Sequence, residues 1–169
     1  MWLNEDIFYQ ESFLSDYEIE ALEEIIKNNM SFVEGVVNLP DYGGYYTFSA
    51  EGDTIDSIAN RMLKLLQDNN FEFGNFYPRE EIQFIAPESG QSVHIDGDGS
   101  GSDVTWGLVA YISDPESYEG GEIFYPDHDI EIKPARGSLA IHRGNIKHGV
   151  NVVSSGFRFV IVAFTGPVY

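Results

Sequence analysis

Residues 138–165 read SLAIHRGNIKHGVNVVSSGFRFVIVAFT, and this stretch decides the class of fold. It contains three runs rich in aliphatic, β-branched and aromatic residues, 138–142, 147–153 and 157–165, which are separated by segments containing Gly, Asn and Ser. Short apolar runs that are bounded by turn-forming residues are typical of β-strands. The C-terminal part of the chain is therefore predicted to be β-structure.

The same pattern of short apolar runs between turn-forming residues extends back to Glu80. Five further strands are predicted upstream, at residues 81–86, 92–96, 104–113, 121–125 and 129–133. Eight short strands at such regular spacing are typical of a sandwich or a small barrel, and a jelly roll joins eight strands with few exposed edges. We therefore expect a mainly β fold with supporting helices around a jelly-roll core at residues 80–169.

Two amphipathic helices are predicted before the strands. Apolar residues recur at helical spacing in residues 16–29 and again in residues 54–68. Residues 31–52 are rich in Gly and Tyr and are predicted to be strand and loop. Because the sequence shows no internal repeat and no linker, we expect a single domain, 1–169, in which residues 1–79 supply helical support and N-terminal strands.

The charge of the chain restricts its partners. Its 169 residues include 28 acidic and 9 basic side chains, which give a formal net charge of −19. Such a charge repels phosphate backbones and anionic membrane surfaces at long range. We therefore expect neither a nucleic-acid partner nor a membrane partner.

Cysteine is absent from the sequence, which excludes disulfides, thiolate metal sites and a cysteine nucleophile. The longest apolar run, residues 159–164, is far shorter than the about 20 residues of a membrane helix. The first residues, MWLNEDIFYQ, lack the basic and then apolar layout of a signal peptide. A cytoplasmic location is the expectation that follows.

The acidic residues are unevenly distributed. Residues 1–131 contain all 28 acids, whereas residues 132–169 contain no acid and five bases. The C-terminal quarter could bind a small anion, although a core-rich segment with little room for carboxylates would show the same pattern.

Three residues have the types and the spacing of a metal site. His94 and Asp96 are two apart on a predicted strand, so their side chains point to the same face, and the glycine-rich segment 97–103 follows at once. His148 lies 54 residues after His94. Two imidazoles and one carboxylate on one face of an iron ion leave three open positions, as in non-haem iron oxygenases. A surface His-Asp contact is the alternative explanation of the HxD triplet.

Arg158 is a cation on an otherwise apolar predicted strand, within the run GFRFVIV. A buried guanidinium is costly unless a carboxylate pairs with it. That carboxylate belongs either to a ligand or, in a purely structural role, to an acid of the N-terminal half of the chain.

Together these motifs resemble one known family. The chain contains FYQESFLSDYEIEALEEI near its start, followed by HID, VAYISDPESYEGGEIFYP, IKPARGSLAIH and KHGVNVVSSGFRF. In this order they resemble the iron(II)- and 2-oxoglutarate-dependent dioxygenases, and within that family the prolyl 4-hydroxylase-like branch. The resemblance covers nearly the whole chain.

This resemblance implies a double-stranded β-helix and an enzyme that hydroxylates an unactivated C–H bond with release of succinate and CO2. Fe(II), 2-oxoglutarate and O2 are the implied cofactors, with ascorbate as an optional addition. Residue by residue, the resemblance implies that His94, Asp96 and His148 ligate iron. It also implies that Arg158 and Tyr111 bind the distal carboxylate of 2-oxoglutarate.

The same resemblance places Val150, Val160 and Phe164 around the cosubstrate. Many members carry a tyrosine in the strand before the HxD motif, where this chain has Phe84 and Ala86, and some carry a threonine after GGE, where it has Ile123. Which residues make the auxiliary cosubstrate contacts is therefore an open question at this point.

Other polar residues have simpler interpretations. His128 follows Pro126 and is predicted to be a solvated turn residue, and His142 is predicted to be a packed strand residue rather than a ligand. Asp98 could compete with Asp96 for the metal, but its place in the glycine-rich segment disfavours this.

Two segments are expected to be mobile covers that close over a substrate. Residues 97–103 are mostly Gly, Ser and Asp and cannot bury enough apolar surface to hold one conformation unaided. Tyr42, Tyr45 and Tyr46 either join this cover or simply pack beside the barrel.

Membership of the resembled branch implies a prolyl residue in a peptide or protein as the substrate. The acidic charge favours a basic, proline-containing peptide. Two alternatives are a nucleic-acid demethylase of the same superfamily, which the charge disfavours, and a cupin-like metal-binding protein without oxygenase activity.

Overall fold

The structure, a computed structural model, describes residues 1–38, 44–97 and 104–168. The helices found there are α1 (Asp16–Asn28), α2 (Met30–Gly35) and α3 (Asp53–Asp68). The strands are β1 (Ile7–Gln10), β2 (Tyr46–Ser49), β3 (Phe76–Pro78), β4 (Glu81–Ile85), β5 (Ser89–His94), β6 (Trp106–Tyr111), β7 (Glu119–Gly120), β8 (Ile123–Tyr125), β9 (Ile130–Ile132), β10 (Leu139–Arg143), β11 (His148–Ser155) and β12 (Arg158–Thr165).

The strands form two antiparallel sheets. In the larger sheet the order is β1-β10-β6-β12-β4-β2, with β3 also paired to β12. In the smaller sheet the order is β5-β11-β8-β9, with β7 also paired to β11. All eight strands predicted beyond Glu80 are present, and the predicted jelly-roll, double-stranded β-helix fold is confirmed.

Side-chain alternation gives the larger sheet two different faces. On β12, Phe159 and Ile161 are buried in the main hydrophobic core, which also contains residues of α1 and α3. Arg158, Val160 and Val162 alternate with them and line a cavity on the other face. One face of the sheet therefore holds the helices, and the opposite face forms the candidate site.

The two predicted helices are present as α1 and α3. α1 begins with a capping box, in which the Ser15 hydroxyl accepts from the Glu18 N–H at 3.1 Å and the Glu18 carboxylate accepts from the Ser15 N–H at 2.8 Å. None of the described helices combines the length and the apolar character needed to cross a membrane.

The prediction of strand and loop for residues 31–52 is partly wrong. β2 is the predicted strand, but α2 follows α1 almost directly and occupies residues 30–35. Val33 and Val36 are buried against the core, and this tertiary burial stabilises a short helix that composition does not indicate. Residues 39–43 lie outside the described residues.

The capping box of α1 gives a test of the fold. Ser15→Ala removes the hydroxyl acceptor and should lower the free energy of unfolding by about 1 kcal/mol. The measurement is urea denaturation followed by circular dichroism. Ser57→Ala, the same change at an exposed position inside α3, should leave the stability unchanged or slightly raised, because alanine is the better helix former. Equal losses in the two variants would contradict the assigned cap.

Candidate functional site

The residues of the predicted metal site lie together at one end of the smaller sheet. His94 ends β5 and His148 begins β11, and the two residues are directly paired across the strands. The N–H groups of Asp96 and Gly97 both donate to the carbonyl of Gly144, at 2.9 and 3.2 Å. This turn holds Asp96 beside the two imidazoles.

The three side chains could hold one metal ion. His148 Nε2 lies 3.3 Å from Asp96 Oδ1, and His94 Nε2 lies 3.8 Å from the same oxygen. Donor atoms bound about 2.1 Å from a first-row metal ion stand about 3 Å apart in neighbouring positions, so the set can close around such an ion with small adjustments. Two imidazoles and one carboxylate match the donor set of Fe(II) oxygenases.

Both imidazoles are oriented by backbone carbonyls. His94 Nδ1 lies 2.7 Å from the carbonyl oxygen of Ser92, and His148 Nδ1 lies 3.1 Å from that of Ile146. Because a carbonyl only accepts, each Nδ1 is assigned the ring hydrogen. Each Nε2 then keeps its lone pair for a metal ion, as is usual for histidine ligands.

Asp96 has a further partner in His142, whose Nε2 lies 2.8 Å from Asp96 Oδ2. Burial by itself would raise the pKa of Asp96, but the hydrogen bond from His142 and the neighbouring His148 imidazole outweigh it and hold this pKa well below its usual range. Burial lowers the pKa of His142. Asp96 is therefore ionised at neutral pH, as a metal ligand must be.

Gly107 on β6 provides the space for this contact. A Cβ atom at position 107 would lie 2.5 Å from Asp96 Oδ2 and 2.9 Å from His142 Nε2. Both distances are shorter than ordinary van der Waals contact. The hydrogen bond between Asp96 and His142 therefore requires glycine at this position.

Arg158 lies buried at the start of β12, with 3% of its surface exposed. Its guanidinium carbon lies 4.9 Å from the centre of the Tyr111 ring. Within the described part of the chain, no carboxylate is within ion-pair distance of Arg158, and neither Arg158 Nε nor the Tyr111 hydroxyl has a hydrogen-bond partner. Burial raises the pKa of Tyr111 to about 12, although the Arg158 charge lowers it in part.

The glycine pair before Glu122 brings a further aromatic ring to Arg158. Gly121 has a φ of +70°, and a Cβ there would lie 2.9 Å from Tyr118 Cε2 and 3.0 Å from Arg158 Cδ. Lys133 Nζ lies 3.8 Å from the centre of the Tyr118 ring and donates to two carbonyls of this segment. These contacts hold Tyr118 against the stem of Arg158.

One cavity of about 340 Å³ contacts both the metal-ligand cluster and the pair formed by Arg158 and Tyr111. This volume is typical of small-molecule sites. It is lined by the predicted metal ligands together with Arg158 and Tyr111. Val150, Val160 and Phe164, expected from the resemblance, also line it. The structure therefore brings the predicted site residues to one cavity.

Near β4, the two positions compared with the tyrosine of the resembled family face away from the cavity. Phe84 and Ala86 face the main core, whereas Gln83 alternates with Phe84 and lines the cavity. Ile123 lines the cavity as well. Gln83 was missed by the sequence analysis, although strand alternation on β4 could have identified it.

His128 and His142 make contacts that were not predicted. His128 is in a turn but is only partly solvated, because its Nδ1 lies 3.2 Å from Asn4 Nδ2. His142 is packed, as predicted, but it also binds Asp96 and lies 3.1 Å from the Tyr125 hydroxyl. This role of His142 was not predicted from the sequence.

The expected covers fall mostly outside the described residues, which exclude Tyr42, Asp98 and the rest of 98–103. The two described tyrosines differ. Tyr45 lines the cavity, whereas Tyr46 packs against the core and stacks on Phe84. The mobile covers stay a prediction.

Comparison with known proteins supports the resemblance. No family model matches the chain. A PKHD-type hydroxylase of Crocosphaera subtropica is 38% identical over 65 residues, which are 37% of this chain and 28% of that protein. One from Pseudomonas putida strain W619 is 37% identical over 57 residues, 32% of this chain and 25% of that protein. The matched segments thus span little more than a quarter of these relatives.

Solved structures match over much more of the chain. The viral collagen prolyl hydroxylase of Paramecium Bursaria Chlorella virus-1, solved with 2-oxoglutarate, has a TM-score of 0.74 at 19% identity over 98% of both chains. A Trichoplax adhaerens prolyl hydroxylase, solved with a peptide, has a TM-score of 0.72 at 14% identity and covers 95% of this chain and 83% of that one. The chain therefore has the fold of prolyl hydroxylases.

Gly107→Ala tests the packing of the site. The added methyl group should displace Asp96 or His142 and lower the free energy of unfolding by about 1 to 3 kcal/mol. Gly35→Ala is the matched control, because a Cβ at the end of α2 would have no atom within 4 Å and should leave stability unchanged or raised. Urea denaturation compares the two, and equal stability of both variants would contradict the described contact.

Proposed function

We propose that the protein is an Fe(II)- and 2-oxoglutarate-dependent dioxygenase that hydroxylates an unactivated C–H bond and releases succinate and CO2. The proposed substrate is a prolyl residue in a peptide or protein. One observation carries the proposal. A single cavity is lined by the His94, Asp96 and His148 cluster and by Arg158, a buried cation without a described carboxylate partner.

The protein residues suit this chemistry. His94 and His148 would hold Fe(II) through Nε2, and Asp96 would hold it through Oδ1. Fe(II) bound there would supply, together with 2-oxoglutarate and O2, the oxidising power that hydroxylation of an unactivated carbon requires. The chain itself contributes ligand geometry and an enclosed site.

Arg158 and Tyr111 are proposed to bind the distal carboxylate of 2-oxoglutarate. Arg158 supplies charge-assisted N–H donors in a shielded place, where they are stronger than in water. Tyr111 keeps its proton at neutral pH because its pKa is raised to about 12, so its hydroxyl can donate to the same carboxylate. A cupin-like protein that binds only a metal ion would not require a buried cation such as Arg158.

Apolar side chains separate the two polar groups. Val150, Val160 and Ile123 line the cavity and are almost fully buried. They exclude water from the bound cosubstrate, which strengthens the polar contacts at both ends. They also limit the orientations that a five-carbon diacid can adopt in the cavity.

The substrate proposal rests on likeness and charge. The solved structures of similar fold include prolyl hydroxylases, one of them with a peptide bound. The net charge of −19 attracts basic peptides and repels nucleic acid. These two observations favour a basic, proline-containing peptide over a nucleic-acid substrate.

Arg158→Ala tests the cosubstrate site. A charge-assisted contact contributes about 1.5 to 3 kcal/mol, so the affinity for 2-oxoglutarate should fall about tenfold or more while metal binding persists. Tyr111→Phe should cause a smaller loss, because it removes one neutral donor. Anaerobic calorimetry measures the affinity of each variant for 2-oxoglutarate. Arg136→Ala is the control, because Arg136 is exposed and pairs with Glu23. Wild-type affinity in Arg158→Ala would refute the assignment.

Turnover tests the substrate class. With Fe(II), 2-oxoglutarate and ascorbate present, succinate formation should rise when a basic proline-containing peptide is added, and less with an acidic peptide of equal length. Added salt should narrow this difference, because it screens the attraction. An oligonucleotide with methylated bases should produce no rise. Stimulation by the oligonucleotide alone would overturn the peptide assignment in favour of a demethylase.

A further inference from the structure

We propose that His142 is a positioning residue, which engages Asp96 Oδ2 so that Asp96 offers only Oδ1 to the metal ion. The inference rests on the proposed function in one respect, that Asp96 is a metal ligand. His142 itself is not proposed to bind the metal.

The two oxygens of Asp96 have different surroundings. Oδ2 lies 2.8 Å from His142 Nε2. Oδ1 instead faces the other two members of the cluster, at 3.3 Å from His148 Nε2 and 3.8 Å from His94 Nε2. The hydrogen bond from His142 therefore leaves only one oxygen directed at the place where a metal ion would lie.

The direction of the hydrogen bonds follows from the partners. An ionised carboxylate only accepts, so His142 Nε2 carries a hydrogen and donates to Asp96. The neutral ring then has a lone pair on Nδ1, which accepts from the Tyr125 hydroxyl at 3.1 Å. Burial raises the pKa of Tyr125 well above its usual value, so this hydroxyl keeps its proton. Because Nε2 holds a hydrogen, it is not available as a metal ligand.

The hydrogen-bonded side chains of Tyr125, His142 and Asp96 are held rigidly. His142 is buried in β10, where it pairs with Ile7 on one side and with Gly107 on the other. Tyr125 is completely buried and packs with Ile7. Glycine at position 107 leaves room for the contact, so residues of the four strands β1, β6, β8 and β10 together position one hydrogen bond.

The consequence concerns the number of open metal positions. A carboxylate can bind a metal through one oxygen or through both. If Asp96 used both oxygens, it would occupy a position that a bidentate cosubstrate or O2 needs. By engaging Oδ2, His142 keeps the three open positions of a two-histidine, one-carboxylate site.

The test is titration with Co(II), a stand-in for Fe(II) that is stable in air and whose visible spectrum reports the number of ligands. His142→Phe keeps an aromatic ring but removes the N–H group that fixes the orientation of Asp96. Co(II) binding should therefore weaken about 10- to 100-fold, and the visible spectrum should change. His142→Gln retains an N–H donor and should recover part of the affinity. Tyr125→Phe, which removes only the hydroxyl, should cause a loss of less than tenfold in the same direction.

The outcomes separate this inference from the proposed function. Wild-type affinity and spectrum in folded His142→Phe, or equal losses in the Phe and Gln variants, would overturn the positioning role. If His142→Phe does not fold, Tyr125→Phe and His142→Gln decide, and wild-type affinity and spectrum in Tyr125→Phe would overturn it. His148→Ala, which removes one of the three proposed metal-binding side chains, is the reference variant. If it binds Co(II) as well as the wild-type protein does, the metal site of the proposed function fails instead.

Discussion

The candidate site depends on the alternation of side chains along the inner strands of the larger sheet. Along β6, β10 and β12, alternate residues such as Leu108, Ile141 and Ile161 are apolar and buried in the main core, which also contains residues of the helices. The residues between them, such as His142 on β10 and Arg158 on β12, face the cavity. The same hydrogen-bonded strands therefore stabilise the fold on one side and position polar groups on the other.

The buried polar groups in and beside the cavity fall into two sets. Asp96, His142 and Tyr125 satisfy one another through hydrogen bonds, so their burial costs little and their geometry is fixed. Arg158 Nε and the Tyr111 hydroxyl lack partners among the described residues. Leaving such atoms unpaired costs about 1 to 3 kcal/mol each, and an anionic ligand would recover this energy. The first set suits a permanent metal site, and the second suits a cosubstrate that binds reversibly.

Much of this organisation could be predicted from the sequence because it is local. The strands follow from short apolar runs between turns, and the spacing of the HxD triplet correctly predicts that His94 and Asp96 lie together. The prediction that both residues lie on the strand is wrong, because β5 ends at His94 and hydrogen bonds to Gly144 place Asp96. The role of His142 could not be predicted in this way, because its contact with Asp96 depends on the register of β10 against β6 and on glycine at position 107. α2 was missed because burial of Val33, and not composition, stabilises it.

The central claim is that one cavity binds Fe(II) and 2-oxoglutarate together, and anaerobic Fe(II) titration with and without 2-oxoglutarate tests it most directly. A chelate between the two absorbs weakly in the visible region. The account predicts that this band grows to one equivalent when 2-oxoglutarate is added to the Fe(II)-loaded protein. Binding of Fe(II) without a band at saturating 2-oxoglutarate would contradict the account and would favour a metal-binding protein without oxygenase activity.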